Sequence, residues 1–600
     1  MLSQRGVYVQ KIIKLLKPSE WLQILAIFAF SVTQVLLDLQ FPGYLAEITR
    51  LTQTQGSQVS AITAAGVSML LCASASLACV ICNSFLASRT AAALAARLRG
   101  MLFAKVESFS MEEIGRFSTA SLITRSTNDV TQVQTFFMAA LQMLLRIPIL
   151  AIGGLLKIAS VGAAWSFSTA VALGFCLLVM SIAMSVVLPI YDKMQSLVDN
   201  LNLAVRESLT GRFVIRAFNA QGYQTGKFDR ANEAFTMADQ TATRAMAAMS
   251  PFMSIANNGL VLAIYLIGAS LIIRSGPENA LLPFSNMVVM TAYSSQVMAC
   301  IRFITKVLPR WPRASVSARR INEVLDTELV LRPGRLTEGI VGVSGEVTFQ
   351  NVSFKYPEAA NYALEDISFT AKKGETVAII GSTGSGKTTL INLILRFYDA
   401  SQGQVLVDGV DVKNYERKSL YNKIGYVPQK AVLFRGSIAS NVSYGDNGRG
   451  AFTEDDVRAA VQIAQAQEFV ENLDDRYQSQ VSQGGATFSG GQRQRLTIAR
   501  AICRDPEILI FDDAFSALDY KTDRDLRTAL NDSAEGVTRL VVAQRIGAII
   551  DADRIIVLDE GRIAGQGKHR DLLQSCTIYR EIAKAQLSEE ELATEGVLAS

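Results

Sequence analysis

The sequence predicts a membrane α-helical part, with six transmembrane helices and long cytoplasmic extensions, followed by an α/β domain built on a phosphate-binding loop. Three observations predict it. Half of the 600 residues are hydrophobic and 19% are charged, and mean hydropathy is positive at +0.24, which so long a chain reaches by carrying a membrane part. Apolar runs of the length that a bilayer core requires recur through the first half. The stretch Gly381-Ser382-Thr383-Gly384-Ser385-Gly386-Lys387-Thr388 has the spacing G-x-x-x-x-G-K-[ST] between a strand-like run, Val377–Ile380, and a helix-like one, Leu390–Leu395.

Taken in order, Val7–Leu16 mixes Lys11 and Lys14 with apolar residues and predicts a short amphipathic helix on the membrane surface. The spans are expected at about 21–39, 61–86, 136–156, 164–189, 249–273 and 280–304, with Pro42-Gly43 interrupting the chain after the first. Six is even, so both ends lie on one side. Between spans two and three stand Arg89, Arg97, Arg99, Lys105, Arg116 and Arg125. Between spans four and five stand Lys193, Arg206, Arg212, Arg216, Lys227 and Arg230, then Arg244. The other connections offer Arg50, Lys157 and Arg274. This asymmetry places both termini and the two long connections in the cytoplasm. Those connections are too long for structureless loops in a compact protein, so the spans are expected to continue as helical arms of about 25 residues, roughly 37 Å at 1.5 Å per residue. Short turns at the arm tips would touch the α/β domain.

Charges within spans are costly in lipid. Asp38 and Arg302 are expected to snorkel to the interfaces, and Arg146 to face protein or a cavity. Met249, Phe252, Met253, Tyr265, Phe284, Met287, Met290, Tyr293 and Met298 could line an adaptable apolar cavity or simply pack. The net charge of +4 gives no argument for a nucleic-acid partner. The seven cysteines form no disulfide framework, and Cys79 and Cys82, a CxxC within an apolar run, read as packing. His569 is the one histidine, which excludes a His-based metal site. No short apolar segment with a small-residue cleavage site opens the chain, so no cleaved signal peptide is expected.

The domains are expected at 1–325, a linker at 326–344, the α/β domain at 345–585 and a tail at 586–600. A strand pattern opens at Gly345, and strands then alternate with helices. The glycines of the phosphate loop let successive backbone N–H groups face phosphate oxygens, and the next helix aims its positive end at the same anion. Lys387 would reach the β/γ-phosphates of a nucleotide, with the Thr388 hydroxyl on Mg²⁺ and Thr389 beside it. Tyr356 could stack on adenine or be a turn tyrosine. Gln429 closes Gly425–Gln429 and could touch Mg²⁺ or water. Ser489-Gly490-Gly491-Gln492 opens a helix with small residues and a free amide, another anion-receptive start. Ile508–Asp513 is an apolar strand ending in two carboxylates, of which Asp512 suits a metal. Ser516–Asp519 follows.

In order, Tyr356, Gly381–Thr388, Gln429, Ser489–Gln492, Asp512 and Ser516–Asp519 resemble the A-loop, Walker A, Q-loop, signature, Walker B and D-loop of an ATP-binding cassette (ABC) domain. With six spans and long arms upstream, residues from about 10 to 585 resemble an ABC exporter half-transporter, as do Glu207–Asn219 and Pro312–Ile321 locally. The resemblance implies a multi-pass protein of a bacterial cell membrane. It implies ATP and Mg²⁺ as ligands, and two cassettes closing head to tail so that Asp519 and Ser489–Gln492 approach the partner's nucleotide. Two positions depart from the family pattern. Asp513 stands where a catalytic Glu is usual, and Gln544 where a switch histidine is usual. Asp is one methylene shorter, about 1.5 Å, and a misplacement near 1 Å can cost on the order of 10²-fold. An intact signature beside these losses resembles the degenerate-site subunit of bacterial heterodimeric multidrug exporters. The expected partners are a second half-transporter, membrane lipid and an amphiphilic small-molecule cargo. A homodimeric lipid flippase and a non-transporting ATP sensor are the alternatives. Val481–Gly485 departs too, where a Glu-containing loop is usual, and this affects the detail of coupling.

The topology predicts that a cysteine placed at Gln55 is labelled from the side opposite the α/β domain, while residues 89–130 and 193–244 are labelled from the same side. Labelling of Gln55→Cys only from the cytoplasm would overturn it.

Overall fold

In a computed structural model the chain is described over residues 2–587, apart from 55–57, 145, 277–279, 308–309, 358 and 534–535. Two compact units make it up: Met1–Glu107 with Ala120–Thr327, and Ser108–Thr119 with Glu328–Ser600.

The first unit is helical. Its long members are Pro18–Gln53, Val59–Glu107, Ala163–Thr210 and Gln221–Ser275, the last of 55 residues. At 1.5 Å per residue that helix reaches about 80 Å, far beyond a hydrocarbon core of roughly 30 Å. Among the described residues five helical stretches are long and apolar enough to cross a membrane: Pro18–Gln53, Val59–Glu107, Thr119–Val161, Ala163–Val187 and Gln221–Ser275. Leu281–Val307, over the sixth expected span, is helical but not among those five.

Several expectations for this unit need correction. Pro42-Gly43 does not interrupt the first helix, which runs through it to Gln53. Proline at 42 removes the N–H that would bond the Asp38 carbonyl. Gln296 Nε2, from the Leu281–Val307 helix, donates to that carbonyl at 3.1 Å instead, and Tyr293 Oη donates to Leu39 O at 2.8 Å. A neighbouring helix thus satisfies the group that proline frees. Pro189 and Pro251 also lie inside continuous helices. Asp38 does not snorkel alone. Its Oδ2 pairs with Arg146 Nη2 at 2.8 Å, and Ser76 Oγ donates to its Oδ1 at 2.7 Å. The Arg302 side chain lies outside the described residues. The N-terminal helix, Leu2–Ile13, buries Ile12 against protein and leaves Val7 exposed, with Lys11 Nζ 2.7 Å from Asp326 and Tyr8 O accepting from Asn322 Nδ2. Met249, Met253, Met287, Met290, Tyr293 and Met298 are core residues, whereas Phe252 and Tyr265 are exposed. Cys79 is buried and Cys82 exposed, both as free thiols.

The second unit is α/β. One sheet is antiparallel, in the order β2-β1-β4-β5: β1 Val347–Phe354, β2 Leu364–Ala371, β4 Gln402–Val407 and β5 Val410–Asp411. The other is six-stranded, in the order β12-β11-β3-β10-β9-β6: β3 Thr376–Gly381, β6 Ile424–Val427, β9 Ile508–Asp512, β10 Thr538–Val542, β11 Arg554–Asp559 and β12 Arg562–Gly567. A small hairpin pairs β7, Gly436–Ser437, with β8, Gln480–Val481. The apolar runs at β3, β9, β10 and β11 are continuous because those strands are covered on both faces. Successive residues alternate between two cores. Ala378, Ile380, Leu509, Phe511, Val541 and Val557 enter one, and Val377, Ile379, Ile510, Leu540, Val542 and Ile556 the other.

The first strand begins at Val347, just after the expected Gly345. The stretch before it is tied down. Gly334 N donates to Tyr415 O and Leu336 N to Asn414 O, and a Cβ on Gly334 would lie 2.1 Å from Asn414 backbone. The short helix Met111–Phe117 belongs to this unit. Ser110 caps it, and buried Glu113 accepts from Val330 N at 2.7 Å. Burial pushes the Glu113 carboxyl up, but hydrogen bonds from Ser110 and the Val330 amide outweigh it and hold it below the usual range.

The proline repair makes a prediction. Gln296→Leu strands the Asp38 carbonyl and should cost about 1–3 kcal/mol of stability in detergent. In a Pro42→Ala background, where residue 42 regains its N–H, the same substitution should cost much less. Equal losses in both backgrounds would contradict the assignment.

Candidate functional site

The parallel register brings four strand ends to one edge: Gly381 of β3, Val427 of β6, Asp512 of β9 and Val542 of β10. Ligands bind outside the carboxyl ends of such strands. The loop from Gly381 to Gly386 leaves β3 there and enters the helix Lys387–Ile394. A Cβ on Gly381 would lie 2.1 Å from Leu558 O, and one on Gly386, at φ +98°, 2.6 Å from Leu364 Cδ2. Glycine is required at both. Gly384, at φ +87°, has no atom within 4 Å of its Cβ position, so the loop's outer side is open. Ser382 and Thr383 lie between, and Ser385 is buried.

Lys387 Nζ donates to Gly381 O at 2.9 Å and Ser382 O at 2.7 Å. Burial lowers its pKa, opposed by the charges of Asp513 and Asp512. Thr388 Oγ1 donates to Asp512 Oδ1 at 3.3 Å. Burial raises the Asp512 carboxyl, against that hydrogen bond. A hydroxyl and a buried carboxylate side by side are hard oxygen donors of the kind Mg²⁺ takes, so the residues fit that ion. Tyr356 Oη lies 2.9 Å from Thr389 Oγ1, and its ring stands edge-on to Phe354 and Tyr398. The phenol is therefore built into the phosphate-loop helix rather than free in a turn.

A second cluster surrounds Asp513. Gln544 Nε2 donates to its Oδ2 at 3.0 Å, and Gln429 Nε2 to the same oxygen at 3.3 Å. Asp513 is a non-glycine residue at φ +49°, and Ser516 Oγ donates to its carbonyl at 2.8 Å. The two departures from the family pattern, far apart in sequence, thus meet on one carboxylate oxygen.

Ser489–Gln492 lies apart and makes no hydrogen bond to the phosphate loop among the described residues. Ser489 caps the helix Gly490–Cys503, accepting from Gln492 N, while Gln492 Oε1 accepts from Ser489 N at 2.9 Å. The Gln492 amide is therefore not free, as expected from the sequence, but closes a capping box. The N–H groups of the first turn have no intrahelical partners. Gly490 has open space at its Cβ position, and a Cβ on Gly491 would lie 3.3 Å from Ala517 O. Asp519 accepts from Thr522 N and Oγ1, capping the helix Tyr520–Ser533.

One residue at the site had no sequence signal. Gln586, last in the helix Thr577–Gln586, accepts from Ile546 N at 2.9 Å and donates to Gln544 O at 2.8 Å. A glutamine at a helix end carries no spacing pattern. Beyond Leu587 the expected tail lies outside the described residues. Among the described residues no group of three His, Cys, Asp or Glu side chains is placed to hold a metal ion.

Comparison with known proteins adds what geometry alone does not. The family model for the ABC transporter transmembrane region matches residues 24–301, and the ABC transporter model matches 364–516. An uncharacterized ABC transporter ATP-binding protein of Mycobacterium tuberculosis is 39% identical over 555 residues, covering 92% of this chain and 94% of its own. An ATP-dependent lipid A-core flippase of Vibrio vulnificus is 32% identical over 401 residues, 67% of each chain. The solved structure of a bacterial Atm1-family ABC exporter with ATP bound superposes with a TM-score of 0.74 at 24% identity, covering 93% of this chain and 98% of that one, which speaks for the fold. The chain belongs to the ABC transporters, as a half-transporter of exporter fold that joins a transmembrane region to an ATP-hydrolysing ABC domain.

Proposed function

We propose that this chain is the degenerate-site subunit of a heterodimeric ATP-driven exporter. It binds ATP at its own phosphate loop, hydrolyses it slowly there, and lends its signature helix to a competent site on a partner half-transporter. The backbone of Gly381–Gly386 and Lys387 hold the phosphates, Tyr356 faces adenine, and Thr388 and Asp512 hold Mg²⁺. The ion, when bound, offsets phosphate charge. Ser489–Gln492 and Asp519 face the partner's nucleotide. ATP-driven closure of the paired cassettes would shift the transmembrane part from inward-facing to outward-facing, by differential binding to the two states. Both termini and the ABC domain lie in the cytoplasm, and the membrane is a bacterial cell membrane.

The observation that carries this reading is the pair of amides on Asp513 Oδ2, from Gln544 and Gln429. An amide nitrogen donates, but it cannot accept and return a proton as imidazole does. A carboxylate that is one methylene short and clamped by amides is poorly placed to activate water. The capping box at Ser489 is intact and gives the partner a well-ordered helix start.

The proposed cargo is an amphiphilic small molecule, drugs included. A second reading, a homodimer that flips lipid, is favoured by the 32% identity to a lipid A-core flippase. A non-transporting ATP sensor would fail to move cargo in vesicles holding the reconstituted pair.

ATPase measurement on the assembled pair separates these readings. Asp513→Asn should leave most of the turnover. Gly491→Asp should reduce it by about 10²-fold, through lost stabilisation of the phosphate charge. Rapid hydrolysis by this chain alone, abolished by Asp513→Asn, would make the homodimer the correct reading.

A further inference from the structure

We propose that Gln586 is a positioning residue for the switch loop, acting on Asp513 through Gln544; this rests on the reading of the phosphate-loop site as an ATP site. The loop after β10 carries Gln544 and then a single 3₁₀ turn, Ile546–Ala548. Gln586 spans it with one amide. Its Oε1 accepts from Ile546 N at 2.9 Å and its Nε2 donates to Gln544 O at 2.8 Å. The Gln544 side chain then donates to Asp513 Oδ2 at 3.0 Å.

The reach of Gln586 is set by its helix. Tyr579, Ala583 and Gln586 are spaced four and three residues apart, so they share one face. Tyr579 and Ala583 are fully buried in the core beneath the sheet, and Tyr579 Oη meets His569 Nδ1 at 2.7 Å. Buried on the loop's own side, Ile546 fixes the other end. Gln586, at the surface, links two anchored elements. It also lines the same cavity of about 390 Å³ as Asp513, Gln544 and Arg545.

The bonding pattern requires a primary amide. Glutamate would still accept from Ile546 N but would turn an oxygen towards Gln544 O, and leucine would do neither. Without the clasp the Gln544 backbone is free to move by more than the tolerance of its bond to Asp513, and the carboxylate loses one of its two amide partners. The C-terminal helix would thus set how ordered the slow site is.

Two measurements on the full chain with its partner test this. The first is hydrogen exchange read by mass spectrometry, without nucleotide. Gln586→Leu should speed exchange over residues 544–547 by about ten-fold, the effect of losing two ordinary hydrogen bonds, while peptides over 508–512 and 579–583 stay unchanged. Gln586→Glu should fall between. The second is single-turnover hydrolysis of ATP held by this chain, with its dissociation constant measured separately. Gln586→Leu should change the rate by several-fold at constant affinity, as expected for a displaced group near the reacting atoms, and that change should vanish in a Gln544→Ala background. Unchanged exchange at 544–547, or an equal effect of Gln586→Leu with and without Gln544, would overturn the proposal. If Lys387→Ala leaves ATP binding intact, the ATP-site reading fails instead, and the exchange result still decides whether the clasp exists.

Discussion

The tight exit of the phosphate loop from β3 is the constraint on which the rest of the ABC domain depends. The Leu558 carbonyl of β11 lies where any side chain at 381 would have to be. The loop therefore hugs the strand end, and Lys387 can return to the Gly381 and Ser382 carbonyls. With β10 and β9 next in the parallel sheet, Asp512 arrives beside Thr388, and Asp513 follows one residue later. Moving β9 by a single residue in register would exchange the faces of Leu509 and Ile510 and withdraw both carboxylates. The site and the two cores are consequences of one register.

That register explains why Asp513 is so placed. The chain turns sharply after β9, at positive φ, and delivers the Asp513 carboxylate to the loops that follow β6 and β10. There it meets an amide from each, Gln429 and Gln544. In a related half-transporter with Glu and His at these two positions, the same scaffold would present a longer carboxylate and a ring able to exchange protons. Here the scaffold is kept and the two side chains differ, which is the basis of the proposed slow site.

Much of this could be read from residue order alone, for identifiable reasons. The phosphate loop, the Walker B strand and the signature are local patterns, and each follows from a run of a few residues. The α/β class followed from continuous apolar strands. What could not be read depended on partners distant in sequence. Pro42 looked like a break because the donor that repairs it, Gln296, is some 250 residues away. Asp38 looked like a snorkelling charge because nothing local announces Arg146. Gln492 is the local exception: its partner Ser489 is three residues away, but a capping box and an exposed amide have the same sequence. Gln586 carried no pattern at all, and only the packing of Tyr579 and Ala583 aims it at the switch loop.

The central claim is that ATP stays whole on this chain while the partner's ATP turns over. Photolabelling of the working pair with 8-azido-ATP, carrying ³²P at either the α- or the γ-phosphate, tests it directly. The account predicts that this chain retains both labels under turnover, that its partner retains mainly the α-label, and that Lys387→Ala removes both labels from this chain. Loss of the γ-label from this chain as fast as from its partner would contradict it.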